Sequence, residues 1–93
     1  MTLYLKDPQS TVDYSVDWTT WLVAGEAITS TEWSITPSDT SAPTLGNIID
    51  GDTVQGVYVS GGIAGRRYHL TCRIETDAGR QADRSLSLRI MER

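Results

Sequence analysis

The chain is 93 residues long, carries a net charge of −4 and contains a single cysteine, Cys72. This length predicts one domain spanning residues 1–93, and a lone cysteine excludes an internal disulfide, so packing must stabilise the fold. The acidic balance argues against a protein that binds nucleic acid irrespective of sequence. The opening stretch MTLYLKDPQS has no apolar run long enough for a signal peptide or a membrane helix. We therefore expect no membrane partner and synthesis in the cytoplasm.

Charge is distributed unevenly along the chain. Residues 1–65 hold eight acids and one base, Lys6, for a net of −7, whereas residues 66–93 hold seven arginines and four acids, for a net of +3; the two sum to −4. One explanation is that acidic and basic strands neighbour each other and pair within the fold. The other is that an acidic face of one copy meets a basic face of another protein, because arginine offers a planar fork of donors that suits carboxylates at interfaces.

Alternation of apolar and polar residues with period two recurs along the chain and predicts half-buried strands. The predicted strands are 2–6, 11–18, 28–36, 44–49, 53–60, 67–76 and 82–92. No segment shows sustained helical periodicity, although TTWLVAGEA (19–27) is compatible with one helical turn or with an irregular crossover. About seven short strands in this length predict an all-β sandwich of two sheets, and a small closed barrel is the alternative.

The alternation also predicts which side chains face the core. The inward set comprises Val12, Tyr14, Val16, Trp18, Trp33, Ile35, Val57, Val59, Tyr68, Leu70, Cys72, Ile74, Leu86, Leu88 and Ile90. The outward set comprises Asp13, Ser15, Asp17, Arg67, His69, Thr71, Arg73, Glu75, Ser87 and Arg89, with Val54 and Tyr58 on the opposite face from Val57. Because the chain has no Phe, tryptophan and tyrosine must fill the core. Trp33, facing the 68–74 strand, would fit the sandwich pattern in which a large aromatic side chain lies where other members keep a disulfide.

Turn residues separate these strands. Asn47 with Asp50-Gly51-Asp52 predicts a tight reversal, and Ala78-Gly79 predicts the last hairpin. Residues 38–43 (SDTSAP) predict a polar loop. The glycines of SGGIAGRR (60–67) predict a second loop rather than a phosphate cradle, since a strand follows it and a phosphate loop would open a helix.

Catalytic and metal sites find little support. Cys72 and His69 are three residues apart on one strand and therefore lie on opposite faces, so they cannot form a nucleophile–base pair. One His and one Cys cannot complete a zinc site. Asp13 and Asp17 share a face about 13 Å apart, too far for an acid/base pair. We expect no catalytic residue, no metal and no cofactor.

Two surface features remain. Arg67, Arg73 and Arg89, with His69, lie on the outward faces of two strands that should pair, and they form a basic stripe. This stripe is either a solvated face balanced by neighbouring acids or a surface that docks onto an acidic partner. Trp18 and Trp21 are either an aromatic platform for sugars or, as we expect, core with Trp21-Leu22 capping one end.

Four segments resemble a family of short structural proteins of tailed bacteriophages, some of which are labelled fibre-tail adaptor proteins. They are YLKDP (4–8), VDYSVDWTTWL (12–22), SGGIAGRRYHLTCRIETDAGR (60–80) and RSLSLRIMER (84–93). The TDAGR hairpin and the strand before it are also similar to bacterial and phage immunoglobulin-like domains. The resemblance implies an immunoglobulin-like, two-sheet antiparallel sandwich of about seven strands.

The same resemblance implies a non-enzymatic component of the virion, made in host cytoplasm, that binds other virion proteins in many copies. The expected role is an adaptor at the tail fibre or the head–tail region. A capsid cement or decoration protein is one alternative. A free adhesion or sugar-binding module is another, for which Trp21 and Tyr58 are the candidate contacts.

Overall fold

Seven β-strands form the body of the molecule. The computed structural model describes residues 2–38 and 42–91, and those residues contain no helix. The strands are β1 (Thr2–Lys6), β2 (Thr11–Asp17), β3 (Ile28–Thr36), β4 (Thr44–Gly51), β5 (Val54–Ser60), β6 (Arg67–Thr76) and β7 (Gln81–Ile90). Each predicted strand is present with ends shifted by at most two residues. Residue 92, the predicted end of the last strand, lies outside the described residues, as do residues 39–41 of the predicted polar loop.

The strands divide into two sheets. The four-stranded sheet has the order β1-β7-β6-β3, and the three-stranded sheet has the order β2-β5-β4. Strands β3-β6-β7 and β2-β5-β4 match the C-F-G and B-E-D strands of the immunoglobulin sandwich, which confirms the immunoglobulin-like fold and not the closed barrel. The expectation of a wholly antiparallel sandwich is wrong in one place, because β1 runs parallel to β7. A parallel pair needs a long connection, and here the rest of the domain provides it.

The core lies between the sheets and is built from the inward side chains of both. Tyr14, Val57, Val59, Tyr68, Leu70, Leu86, Leu88 and Ile90 form one cluster, and Val16, Trp18, Cys72 and Ile74 form the other. The predicted parity of β2, β5, β6 and β7 is therefore confirmed. Ser87 lies on the outer face as predicted, yet it is buried, because it sits mid-sheet in register between His69 and Leu3.

Trp18 is buried as predicted, whereas Trp33 lies in a different position from the predicted one. Trp33 is the register partner of Cys72 on the adjacent strand of the same sheet, so it lies beside the thiol instead of opposite it. It is half-buried and packs against both core clusters. The indole that is fully buried with Cys72 is Trp18, which is 1% exposed and enters from the end of β2. Alternation along a strand does not describe the residues at its ends, so it could not predict that the Trp18 indole packs against Cys72.

Turn positions agree with the prediction except at β4. The reversal between β4 and β5 is centred on Asp52-Thr53, with Asp52 at a φ of 65°, so Gly51 belongs to the strand. Asn47 lies inside β4, at a register shift between Leu45 and Ile48, and does not take part in the reversal. The crossover from Trp18 to Ala27 is irregular, with turn hydrogen bonds from Trp21 and Leu22 to the Trp18 carbonyl.

Candidate docking surface

The four residues of the predicted basic stripe all lie on the outer face of the four-stranded sheet. Residues 67, 69 and 73 of β6 have the same parity, and Arg89 of β7 is the register partner of Arg67. The β6–β7 hairpin, closed at Asp77–Arg80, brings the two strands together. The juxtaposition predicted from the sequence is therefore present in the fold.

Arg67 and Arg89 form the centre of what we call the basic patch: Arg67, His69, Arg89, Leu3 and Leu5. Its rows cross three neighbouring strands, since Arg67 pairs with Arg89 and Arg89 with Leu5, while His69 pairs with Ser87 and Ser87 with Leu3. Leu3 is 48% and Leu5 is 49% exposed. Neither arginine forms an ion pair with any residue of 2–38 or 42–91. The patch therefore presents two uncompensated guanidinium groups beside exposed leucine.

His69 is less exposed than predicted. It is half-buried, and its Nδ1 lies 3.4 Å from the Ser87 hydroxyl oxygen. Its ring occupies the middle of the sheet between the patch arginines and the polar pair Thr71–Ser85, whose hydroxyl oxygens are 2.8 Å apart. His69 therefore packs among the side chains on the sheet surface, and its ring does not project far into solvent.

Arg73 is separated from the basic patch. It lies six residues from Arg67, and its register partners are Asp83 and Glu32. Its Nε is 3.6 Å from an Asp83 carboxylate oxygen, and its guanidinium also donates to Gln81 at 3.4 Å. Both members of the ion pair are more than half exposed, so its stabilising effect is small. The stripe therefore divides into an uncompensated end and a balanced end.

The outer face of the three-stranded sheet carries the opposite charge. We call it the acidic face: Asp13, Ser15, Asp17, Ile49, Val54 and Tyr58. Its rows are Asp17–Val54–Gly51, Ser15–Gly56–Ile49 and Asp13–Tyr58, so carboxylates line β2 and apolar side chains cover β5 and β4. Tyr58 is 40% exposed. No lysine or arginine occurs between Lys6 and Arg66, so the strands of this face contain no base. Arg84 of β7 lies at its edge, where the guanidinium donates to the Asp17 carbonyl oxygen at 3.1 Å.

One tightly bonded ion pair was not predicted. Arg80 of the β6–β7 turn binds Glu26 of the crossover with both its Nε, at 2.8 Å, and a terminal nitrogen. Thr76 donates to the same carboxylate at 2.7 Å, and the guanidinium lies 3.9 Å from the centre of the Trp21 ring. These bonds, chiefly that of Arg80, lower the pKa of Glu26 to about 2. Two opposite charges that lie 54 residues apart in the sequence give no local pattern from which their pairing could be predicted.

Lys6 was counted as the one base of the acidic segment but does not reach the surface. It is 1% exposed, and its Nζ donates to the carbonyl oxygens of Asp7, Ser10 and Gly61 at 2.9, 2.8 and 2.7 Å. Burial lowers its pKa from the ordinary value, against the opposing effect of Asp7. Lys6 therefore holds the end of β1, the following turn and the loop after β5 together, as a buried cation satisfied by backbone oxygens.

The reactive side chains are placed as parity predicts. Cys72 is completely buried, and burial raises the pKa of its thiol to about 11 although the Trp18 indole opposes the shift. Among the residues that the structure describes, no three His, Cys, Asp or Glu side chains lie close enough to bind a metal ion. Asp50 accepts bonds from the Gln55 side chain at 2.9 Å and the Asp52 amide at 3.1 Å, which lower its pKa and explain its place in the turn.

The aromatic residues offered for sugar binding are mostly covered. Trp18 is core, and Trp21 packs edge-on against it with ring centres 5.5 Å apart while Arg80 covers its other side. The expected cap of Trp21 and Leu22 at one end of the sandwich is thus confirmed, since both pack against the Trp18 cluster. Of the two candidates, Tyr58 is the exposed one.

A family model described as podophage GP4 fiber-tail adaptor protein gp77 matches residues 6–89 of this chain. The chain belongs to this family. The match covers β2 to β6 and most of β7 but only Lys6 of β1, and it includes Arg67, Arg73 and Arg89 and the whole acidic face. Membership of the gp77 family confirms the resemblance drawn from the four sequence segments.

A solved structure is similar to this gp77-family member in its fold. The PKD domain from the KIAA 1837 protein, determined in solution, superposes with a TM-score of 0.55 at 18% sequence identity, over 94% of this chain and 79% of that one. At this identity the likeness shows the immunoglobulin-like sandwich alone. A comparison with curated proteins gave no match. No helix able to cross a membrane occurs in the part of the chain that the structure describes.

Proposed function

We propose that this protein is a non-enzymatic structural component of a phage virion that joins other virion proteins as an adaptor at the tail fibre or the head–tail region. The observation that carries the proposal is the match of residues 6–89 to a podophage fiber-tail adaptor family, on a chain whose outer sheet face bears uncompensated arginines. Membership of a fiber-tail adaptor family supports two general features of the role: binding to other virion proteins and a location in the virion.

The docking surface in this proposal is the predicted stripe of Arg67, His69, Arg73 and Arg89. Binding is concentrated at the Arg67–Arg89 end, because Arg73 already pairs with Asp83. Arginine forks bind carboxylates in bidentate geometry, and the leucines beside them add apolar contact. A rigid sandwich loses little conformational entropy when it docks, so such contacts convert efficiently into affinity.

Further parts of the proposal concern the particle. The domain spans 1–93, is made in host cytoplasm, is present in many copies, and requires no cofactor, membrane or nucleic acid. A capsid cement role would use the same patch on a different partner. An adhesion role would depend on Tyr58 and is favoured by binding to glycans instead of virion proteins.

Charge reversal tests the docking surface. We expect the double variant Arg67→Glu/Arg89→Glu to fold normally and to be incorporated into particles about tenfold less than wild type, because two attractive contacts become repulsive. Incorporation is measured by mass spectrometry of purified particles. The matched comparison is between the single variants Arg67→Glu and Arg73→Glu, which make the same charge change on the same sheet face. We expect the smaller loss for Arg73→Glu, at the balanced end.

Normal incorporation of the double variant would remove the basic patch from the docking surface. An equal loss for the two single variants would show that Arg73 contributes to docking as much as Arg67 does. Tracing the chain in an electron-microscopy map of the assembled particle decides between the adaptor and cement positions, since only the latter places every copy on the capsid shell.

A further inference from the structure

The two outer faces of the sandwich have complementary layouts. On the basic patch, guanidinium groups of β6 and β7 stand beside exposed leucines of β1. On the acidic face, carboxylates of β2 stand beside the exposed Val54, Tyr58 and Ile49 of β5 and β4. Each surface spans three adjacent strands. Its charged and apolar side chains lie on different strands, so the boundary between the two parts runs parallel to the strands. Neighbouring strands are about 4.8 Å apart in both sheets. The charged part covers two strands on the basic patch and one strand on the acidic face, so one column of carboxylates meets two arginine-bearing strands.

We infer that the acidic face of a second copy of this chain is a partner of the basic patch. Stacked face to face, a carboxylate of the Asp13–Asp17 column of one copy meets the Arg67–Arg89 pair of the next, and the exposed apolar side chains of β5 and β4 meet the leucines of β1. This inference rests on the proposed function, because it names a partner for the same docking patch.

The contact is heterologous, since it joins two different surfaces. The basic patch and the acidic face lie on opposite sides of the sandwich, so every copy that docks still exposes the complementary surface for the next. Such contacts build a ring when the rotation between copies closes and an open filament when it does not. A two-fold dimer through either surface alone would place like charges against each other, which is unfavourable.

The size of the surfaces makes a single contact weak. A face of three strands and seven residues measures about 20 Å by about 10 Å between strand axes, which is smaller than the roughly 800 Å² per partner that stable interfaces bury. Exposed charges are also screened by salt. Association of the isolated protein should therefore depend on concentration and on ionic strength, and it becomes strong only where several contacts act together.

Sedimentation velocity tests this at low and high salt. At about 20 mM NaCl we expect wild-type protein to associate as its concentration rises, and at about 500 mM NaCl we expect that association to weaken about tenfold or more. Arg67→Glu/Arg89→Glu makes the basic patch acidic. Asp13→Lys/Ser15→Lys makes the acidic face net positive and keeps Asp17, whose carboxylate accepts bonds from Thr19. All four side chains point outward, and we expect neither variant to associate alone. Glu32→Lys changes the charge at one exposed position that belongs to neither surface, and it should associate within about twofold of wild type.

Mixing the two double variants is the decisive measurement. The intact acidic face of the first meets the intact basic patch of the second, so an equimolar mixture should recover association that neither shows alone. Recovery also demonstrates that both variants are folded; if one is not, the milder Arg67→Gln/Arg89→Gln or Asp13→Asn/Ser15→Lys version replaces it.

Three results would overturn the inference: wild type that remains monomeric at low salt over the whole soluble range, variants that still associate alone, or a mixture that does not associate. Failure of this inference can be distinguished from failure of the proposed function. If self-association is absent while Arg67→Glu/Arg89→Glu still lowers incorporation into particles, the patch docks onto a different virion protein.

Discussion

Cys72 and Glu26 show how strongly the surroundings of one residue determine its chemistry. The thiol would be a modest nucleophile in water, but complete burial raises its pKa to about 11 and makes it inert. The Glu26 carboxylate, bonded by Arg80 and Thr76, is instead held ionised far below its usual range. Cys72 contributes to the packing of the core, and Glu26 to the ion pair with Arg80.

Glu26 makes stability depend on acid pH in a defined window. Its pKa is about 2 in the folded protein against 4.5 for the free side chain, so the folded state binds fewer protons between these values. The resulting stabilisation is complete above pH 4.5 and is lost as the pH falls through about 2. We expect Glu26→Gln to destabilise the protein at neutral pH, with a difference from wild type that narrows steadily below pH 4.5.

Urea denaturation of both proteins at a series of pH values measures this difference. Glu32→Gln is a suitable control, because Glu32 is an exposed carboxyl on the sheet surface. A difference between wild type and Glu26→Gln that stays constant down to pH 2 would contradict the assigned role of the ion pair.

At the level of elements, the loops between strands carry constraints as specific as the strands do. Lys6 joins β1, its following turn and the loop after β5 through three carbonyl oxygens. The Glu26–Arg80 pair joins the irregular crossover to the β6–β7 turn at the other end of the sandwich. Loops fastened in this way keep the sheet edges in fixed positions, which a docking module requires.

The loop between β5 and β6 offers a matched pair of glycine substitutions. Gly62 has a φ of 101°, and a Cβ there would meet Ile90 side-chain carbons at 3.0 Å and Pro43 at 3.2 Å. Gly61 has a φ of 79° with nothing within 4 Å of the added atom. We expect Gly61→Ala to cost about 1 kcal/mol from backbone strain alone, and Gly62→Ala to cost about 3 kcal/mol because the clash with the core adds to it.

Thermal or urea denaturation gives both free energies of unfolding. If both variants lose the same free energy of unfolding, Ile90 and Pro43 move to accommodate the added methyl group without destabilising the core. Gly79→Ala, at a φ of 79° in the β6–β7 turn and equally free of neighbours, should match Gly61→Ala and calibrates the strain contribution.

Across the whole molecule, basic residues are concentrated on one sheet. The strands of the three-stranded sheet carry acids and no base, whereas the outer face of the four-stranded sheet carries arginines together with Glu32, Glu75 and Asp83. Of the two explanations for the uneven charge, pairing within the fold accounts for Arg80 and Arg73. Arg84 donates to the Asp17 carbonyl and lies over the Trp18 ring, whereas Arg67 and Arg89 have no ion pair with any described residue.

We expect the sandwich to unfold as one cooperative unit, which tests the proposal that 1–93 is a single domain. Cys72 and Trp18 lie together in the core, so thiol labelling and tryptophan fluorescence report on the same packing. With urea, labelling by Ellman's reagent, tryptophan fluorescence and far-ultraviolet circular dichroism should show one coincident transition. Rapid labelling of Cys72 in the native protein, or separate transitions, would contradict it.

Strand parity was readable from the residues because side chains alternate with a fixed period of two. That is why the positions of the strands, the buried Cys72 and the shared face of Arg67, Arg73 and Arg89 were predictable. Parity carries no information about which strands become neighbours or how loops cross the ends. The parallel β1–β7 pair, the place of Trp18 beside Cys72 and the Glu26–Arg80 pair all depend on contacts between distant segments, so only the tertiary structure decided them. The same holds for the separation of Arg73 from Arg67 and Arg89, because the position of Asp83 opposite Arg73 follows from hairpin register and not from local sequence.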